Sequence, residues 1–233
     1  MENAFNKDQI LIIIPVFNES GRIGGVVSEL KSHGFGQVLV IDDGSVDNSA
    51  TEAAGKGAKV LIHLINRGAG AATETGLQYF RQQSHLKLAV TIDGDNQHSP
   101  SDIDHLVRAH VESEADLTIG DRFMSGENKI PLSRIIYNRI ADIITSVLSW
   151  KMVKDSQSGF KVWSRRSAEL IRIEQNGYEF CSEVLIKAHH YKLNLVNVPI
   201  KVYYPKDYHR KGQNLGMGIR TAFNLLHHSI FKN

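Results

Sequence analysis

Cysteine is almost absent. Cys181 stands alone among 233 residues. No internal disulfide can form, so neither a disulfide-stapled secreted scaffold nor a cysteine-rich metal centre fits, and a reducing compartment is the expectation. Met1 to Gln9 is polar and has neither the basic start nor the apolar run of a signal peptide. The longest hydrophobic stretch, Ile10 to Val16, falls far below the roughly 20 residues that a bilayer-crossing helix needs, so the chain is not expected to span a membrane. A Walker A sequence is missing, which argues against P-loop kinases and ATPases. The glycine fingerprint of dinucleotide binding fails because Thr73 occupies its third glycine position. No repeat, low-complexity tract or linker is visible, so residues 1–233 are read as one domain.

The composition, 42% hydrophobic and 22% charged, is that of an ordinary globular protein with material for a core. The net charge of +2 conceals an asymmetry. Residues 1–120 carry 9 Lys+Arg against 16 Asp+Glu, a net of −7, and residues 121–233 carry 18 against 9, a net of +9. An acidic half suits a cation site, and a basic half suits phosphate or an anionic membrane surface. Chance clustering on solvated faces is the competing explanation. No nucleic-acid partner is expected. The adjacent pairs His189-His190 and His227-His228 cannot chelate as pairs on a helix and read as surface or interface groups.

Short β-branched runs at Ile10–Val16, Val38–Ile41 and Leu88–Ile92, each followed by turn residues or acids, read as buried parallel strands. Val60–Leu64, Ala115–Ile119 and Leu195–Tyr203 read as further strands. Helical periodicity covers Gly21–His33, Asn48–Lys56, Gly70–Gln82, Ile103–Ser113, Ser133–Trp150, Ser167–Ile173, Phe180–His190 and Leu215–Phe231. Alternation of this kind predicts an α/β fold with a mostly parallel central sheet flanked by helices. Ligands of such sheets bind at the carboxyl ends of the strands. In Ser133–Trp150, Ile136, Ile140, Ile143, Ile144, Val147 and Leu148 share one side. This helix and Leu215–Phe231 are expected mainly to cover the sheet, with a place in a membrane interface as the alternative.

Acids follow successive strands: Glu19, Asp42-Asp43, Asp93-Gly94-Asp95 and Asp121. A lone strand-end acid is usually a cap or turn former, but several at one sheet edge converge on one crevice. Asp93 and Asp95 can bend around an ion at a strand end, with Gly94 permitting the bend. Hard divalent cations take such oxygen ligands together with substrate phosphates, and Gln97 could add an amide oxygen. Asn66-Arg67-Gly68-Ala69-Gly70 opens a helix whose N-terminal N–H groups, with the Arg67 charge, suit a phosphate. Asp155-Ser156-Gln157-Ser158-Gly159-Phe160 and His209-Arg210-Lys211-Gly212 read as a polar and a basic turn.

Taken in order, Ile14-Pro15-Val16-Phe17-Asn18-Glu19, Val40-Ile41-Asp42-Asp43-Gly44-Ser45-Val46-Asp47, Asn66 to Gly70, Asp93-Gly94-Asp95-Asn96-Gln97-His98, Gly120-Asp121-Arg122-Phe123, Asp155 to Lys161, Gly177-Tyr178-Glu179-Phe180 and Val198-Pro199-Ile200 resemble the family 2 glycosyltransferases of GT-A fold. The likeness is greatest to the polyprenyl-phosphate glycosyltransferases, such as the dolichyl-phosphate mannosyltransferases, and runs from Ile10 to about Arg210. It implies a donor-binding half at about 1–120 and an acceptor half at about 121–233, ending in an amphipathic helix. It implies that Pro15, Phe17, Glu19, Ile41 and Asp43 hold the donor's base and ribose, with Arg67 beside the nucleotide. Asp93, Gly94 and Asp95 would span the donor, with Asp95 and Gln97 on Mg²⁺ or Mn²⁺. Arg122 and Arg210 would meet phosphates, and Asp155 would sit near the sugar or acceptor. Phe17 replaces a tyrosine often found in the family, and Asp121 stands where serine is usual, adding a carboxylate near the anion site.

The implied activity is inverting transfer of a hexose, mannose or glucose, from a GDP- or UDP-sugar to a polyprenyl phosphate. Asp155, Asp95 and Arg122 are its catalytic candidates, and a membrane-anchoring partner subunit is one way to reach the lipid at the cytoplasmic face. A phosphate acceptor, with a second pKa near ~6, is largely dianionic at neutral pH and needs no general base. A glycan hydroxyl acceptor would need one, and Asp155 would then be the candidate. A non-catalytic nucleotide-binding subunit is the third reading.

Overall fold

The computed structural model describes residues 6–203, apart from Pro100, Glu127 and Lys129. Arg210, the basic turn around it, His227-His228 and the Leu215–Phe231 helix therefore lie outside the described residues. After a 3-10 turn at Lys7–Gln9, the chain runs β1 (Ile10–Val16), α1 (Ile23–Ser32), β2 (Gln37–Asp42), α2 (Ser49–Gly55), β3 (Lys59–Ile62), α3 (Ala69–Gln82) and β4 (Leu88–Thr91). It continues as α4 (Ser101–Glu112), β5 (Leu117–Asp121), α5 (Leu132–Ser149), β6 (Lys161–Ser164), α6 (Arg165–Leu170), α7 (Phe180–His190) and β7 (Leu195–Pro199).

One seven-stranded sheet, ordered β3-β2-β1-β4-β6-β5-β7, runs through the whole described chain. β6 is antiparallel to both β4 and β5, and the other pairings are parallel. Both faces are covered, which is why β1 is continuously apolar rather than alternating. Leu11 and Ile13 enter one core cluster with Ala72, Leu77 and Phe80 of α3, Ala168 of α6 and Val184 and Leu185 of α7. Ile10, Ile12, Ile14 and Val16 enter the other, with α1, Ala53 of α2 and Ile103, Leu106 and Val107 of α4.

Two expectations change. β6 is assigned to no element from sequence, because four residues beginning with lysine are too few for a period-2 signal. It is nonetheless an interior strand of the sheet, between β4 and β5, with Val162 and Trp163 fully buried. The second change concerns α5, which was expected mainly to pack on the sheet. Its buried residues are Asn138, Asp142 and Thr145, while Leu132, Ile136, Ile140, Ile143 and Val147 are exposed, Ile143 and Val147 by 63% and 67%. Polar inside and apolar outside is the reverse of a helix that covers a core in water. Below its inner face lies a polar layer, in which the Thr145 hydroxyl donates to Ser182 Oγ at 2.8 Å and Gln157 Nε2 donates to the same atom at 2.9 Å.

Candidate active site

The carboxyl ends of β1, β2, β4 and β5 bring most of the anticipated residues to one edge. Beyond β4, the Ile92 N–H donates to Ile13 O at 3.1 Å, and the chain then turns through Asp93-Gly94-Asp95, with Asn96 at φ 62°. Gly94 is required for close approach. A Cβ there would lie 2.9 Å from Val16 Cγ2, so the acid loop rests directly on the end of β1. Asp93 nests against Gly159, where a Cβ would lie 2.7 Å from its Oδ1. Trp163 Nε1 donates to Thr91 Oγ1 at 3.3 Å, and that hydroxyl donates to Gly159 O at 2.8 Å, so β6 and β4 together pin the Asp155–Phe160 turn beside the acids.

The electrostatics separate the two carboxylates. Burial works against ionisation of Asp93. Its hydrogen bond with His98 (Nε2 to Oδ2, 3.4 Å) and the positive charges of His98, Arg122 and Lys161 outweigh that burial, and the carboxyl is held below its ordinary range. Asp95 is pushed up to about 6, first by burial and then by the charge of Asp93, against the Gln97 N–H that donates to its Oδ1 at 3.1 Å. The Asp93 side chain is 47% exposed, so solvent still reaches this loop, which gathers two carboxyl groups and the Gln97 amide. That fits a divalent cation shared with substrate phosphates. Asp93 and Asp95 would hold it, with Gln97, buried in the same loop, as the further oxygen donor. No cluster of three His, Cys, Asp or Glu occurs among the described residues.

At the donor end, Pro15 pairs with Ile41 and Val16 with Asp42. Phe17 is partly exposed, and Glu19, paired with Arg22 at 2.9 Å, lies beside it in the chain. Ile41 departs from its expected role: it is fully buried in the core, so its side chain supports β2 and cannot face a ligand. Asp43 is turned into the protein. Its carboxylate accepts the N–H of Arg67 at 3.0 Å and of Gly68 at 2.6 Å, and meets His63 Nδ1 at 2.6 Å. It thereby shapes the loop that carries the exposed Arg67.

The start of α3 also departs from expectation. The Gly70 N–H already donates to Asn176 O at 2.8 Å. A Cβ at Gly68 would lie 2.3 Å from Asn176 O, and one at Gly70 would lie 2.0 Å from Gln175 O. These glycines admit the 175–177 backbone and do not expose a helix N-terminus to a phosphate.

On the other side, Arg122 and Asp155 form a two-pronged ion pair. The Arg122 N–H donates to Asp155 Oδ2 at 2.7 Å, its Nε to the same oxygen at 2.9 Å, and its Nη2 to Oδ1. Asp155 is completely enclosed and holds a left-handed φ of 48°. Asp121, expected to add a free carboxylate beside Arg122, is instead buried and engaged within the protein. Its carboxylate accepts from the Phe123 N–H at 2.9 Å and from Asn197 Nδ2 at 3.1 Å, tying β5 to β7.

Sequence reasoning assigned no role to Lys161, His98 or Asp142. Lys161 is fully buried, donates to Ser158 O, and lends its charge to Asp93. A lysine between Phe160 and Val162-Trp163 was the visible signal, since an unpaired lysine is almost never fully buried. His98 tilts against Phe160 at 5.2 Å between ring centres.

An α/β sheet with acids at the ends of β1, β2, β4 and β5, and an inserted antiparallel strand, defines a nucleotide-sugar transferase of GT-A type. Glucosyl-3-phosphoglycerate synthase from Mycobacterium tuberculosis, solved with Mn²⁺, uridine diphosphate and phosphoglyceric acid, shares this fold at a TM-score of 0.72 over 96% of this chain and 79% of its own, with 20% identity. The glycosyl transferase family 2 model matches residues 11–169, and the chain belongs to that family. A UDP-N-acetylglucosamine–dolichyl-phosphate N-acetylglucosaminyltransferase from Methanococcus voltae is 32% identical, over 93% of this chain and 94% of its own. A dolichol-phosphate mannosyltransferase from Pyrococcus furiosus is 24% identical, over 94% of this chain and 62% of its own.

Proposed function

We propose that this enzyme transfers a hexose from a nucleoside-diphosphate sugar to a polyprenyl phosphate at a membrane surface, inverting the sugar carbon. The carrying observation is α5. It presents an apolar face outward while its polar inner face abuts the turn that holds Asp155. An acceptor with a hydrocarbon tail and an anionic head needs those two surfaces on one element. Trp150 and Met152, exposed at the helix end with Lys151 and Lys154 nearby, suit the interface and its head groups. No helix among the described residues is long and apolar enough to cross a membrane. The contact proposed is peripheral, on the cytoplasmic face, made directly by α5 or through an anchoring subunit.

In the reaction, an oxygen of the lipid phosphate attacks the sugar's anomeric carbon, and the nucleoside diphosphate departs with the bonding electron pair. Asp95 and Gln97, with Asp93, would hold a divalent cation, Mg²⁺ or Mn²⁺, which would supply charge neutralisation to that diphosphate. Arg122, fixed by Asp155, stabilises phosphoryl charge. Asp155 acts by orienting Arg122, because its oxygens are occupied by that guanidinium and a phosphate nucleophile needs no base. Pro15, Phe17, Glu19 and the Asp43-shaped Arg67 loop form the nucleotide end, and Arg210 is the further phosphate ligand proposed.

The test is incubation with radiolabelled UDP- and GDP-hexoses, UDP-N-acetylglucosamine included, with Mg²⁺ or Mn²⁺ and polyprenyl phosphate. Label moving into organic solvent supports the proposal. Label retained in water on a glycan acceptor would transfer the reading to a hydroxyl substrate, and no transfer from any donor would overturn it.

A further inference from the structure

The left-handed backbone of Asp155 needs a cause. Aspartate tolerates that conformation better than most residues with a Cβ but does not prefer it, and the surroundings hold it there. Part of the enforcement is within the turn, where the Ser158 N–H donates to Asp155 O at 3.1 Å. The rest comes from α5. Asp142 Oδ1 accepts the Ser156 N–H at 2.7 Å, and Ser146 Oγ accepts the Val153 N–H at 2.9 Å. These two side chains lie one helical turn apart on one face, and the backbone groups they hold flank Asp155. Asp142 is buried, and its second oxygen has no hydrogen-bond partner.

A buried acid with an unused oxygen is costly unless its other bonds matter. Burial and the nearby Asp155 charge push its carboxyl up, against the hydrogen bonds from Ser156 and Asp155.

We infer that Asp142, seconded by Ser146, is a positioning residue: it fixes the peptide following Asp155 so that the Asp155 carboxylate faces Arg122. The function it serves rests on the transferase reading above, but the geometry does not. Acceptance of the Ser156 N–H is what matters, so asparagine can replace aspartate and leucine cannot. Thr145 is a control on the same helix face. Its hydroxyl bonds Ala141 O and Ser182, and it makes no bond to the 153–156 backbone.

The variants are Asp142→Asn, Asp142→Leu, Ser146→Ala and Thr145→Val, read by transfer kinetics and by amide hydrogen exchange over residues 153–160. In Asp142→Leu, kcat is expected to fall about 100-fold with the donor KM within about threefold, as for a misplaced catalytic group. Asp142→Asn stays within about fivefold of wild type, and Ser146→Ala falls between. Exchange over 153–160 quickens at least ~10-fold in Asp142→Leu and is unchanged in Thr145→Val. Wild-type kcat in Asp142→Leu, equal losses in Thr145→Val, or unchanged exchange would overturn the inference. If Asp142→Leu does not fold, wild-type kinetics and exchange in Ser146→Ala overturn it. Exchange needs no acceptor, so failure of the wild-type enzyme to glycosylate any lipid would refute the proposed function while leaving this test intact.

Discussion

Gly159 has no side chain to contribute, yet Asp93 depends on it. A methyl group at 159 would sit 2.7 Å from Asp93 Oδ1, and the turn cannot retreat because Thr91 holds Gly159 O. Gly159→Ala is therefore expected to displace Asp93 and lower kcat/KM for the nucleotide sugar by about 100-fold, with the thermal midpoint much less affected. Steady-state kinetics beside a melting curve checks this. His110 gives a second expectation, in stability. It is enclosed beside Thr118, at 2.9 Å, and burial pushes it down to about 4, against the opposing Asp116 charge. Unfolded histidine titrates near ~6.5, so the unfolded chain binds this proton more readily than the native one. Its contribution is complete above that value, declines as pH falls toward 4, and levels off below. The loss reaches at most roughly 1.4 kcal/mol per pH unit. Urea unfolding between pH 7 and 4 should show this decline in the wild type and a shallower one in His110→Gln.

At the scale of elements, α5 separates the two surfaces of the proposal. Ile143→Ser with Val147→Ser should leave stability within about 0.5 kcal/mol, because both are exposed, and should weaken sedimentation with anionic vesicles at least ~10-fold. Unchanged vesicle binding would remove α5 from the interface. The same helix shows what could be read beforehand. Its periodicity located it to within a residue at each end, and the 10–16, 37–42 and 88–91 strands were legible because both their faces are buried. Which way α5 pointed was not legible, since the period of an apolar stripe is identical whether it meets a core or a membrane. The polar line Asn138, Asp142, Thr145 carried the answer but reads equally as a solvated face. The start of α3 misled for a related reason. Its glycines serve the approach of residues 175–177, a contact about a hundred positions away in the chain.

Across the whole molecule, the common sheet edge of the early strands' acids was legible because parallel strands put their carboxyl ends on one side. The partnership of Asp93 with the Asp155–Phe160 turn depends on β6, and four residues carried no signal of it. Trp163 makes that strand's weight measurable. It is fully buried and donates to Thr91, so Trp163→Ala should cost about 3–5 kcal/mol, read as a lowered denaturant midpoint.

The position of β6 also orders events during synthesis. β5 has only β6 and β7 for neighbours, and the free edge of β4 is closed by β6. A nascent chain that has emerged only as far as Gly120 thus holds one strand with no hydrogen-bonding partner and another half bare. The Asp93–Gln97 loop cannot set until translation has passed Ser164, so the acid edge and the Asp155–Phe160 turn beside it are expected to form together, in a single late closure.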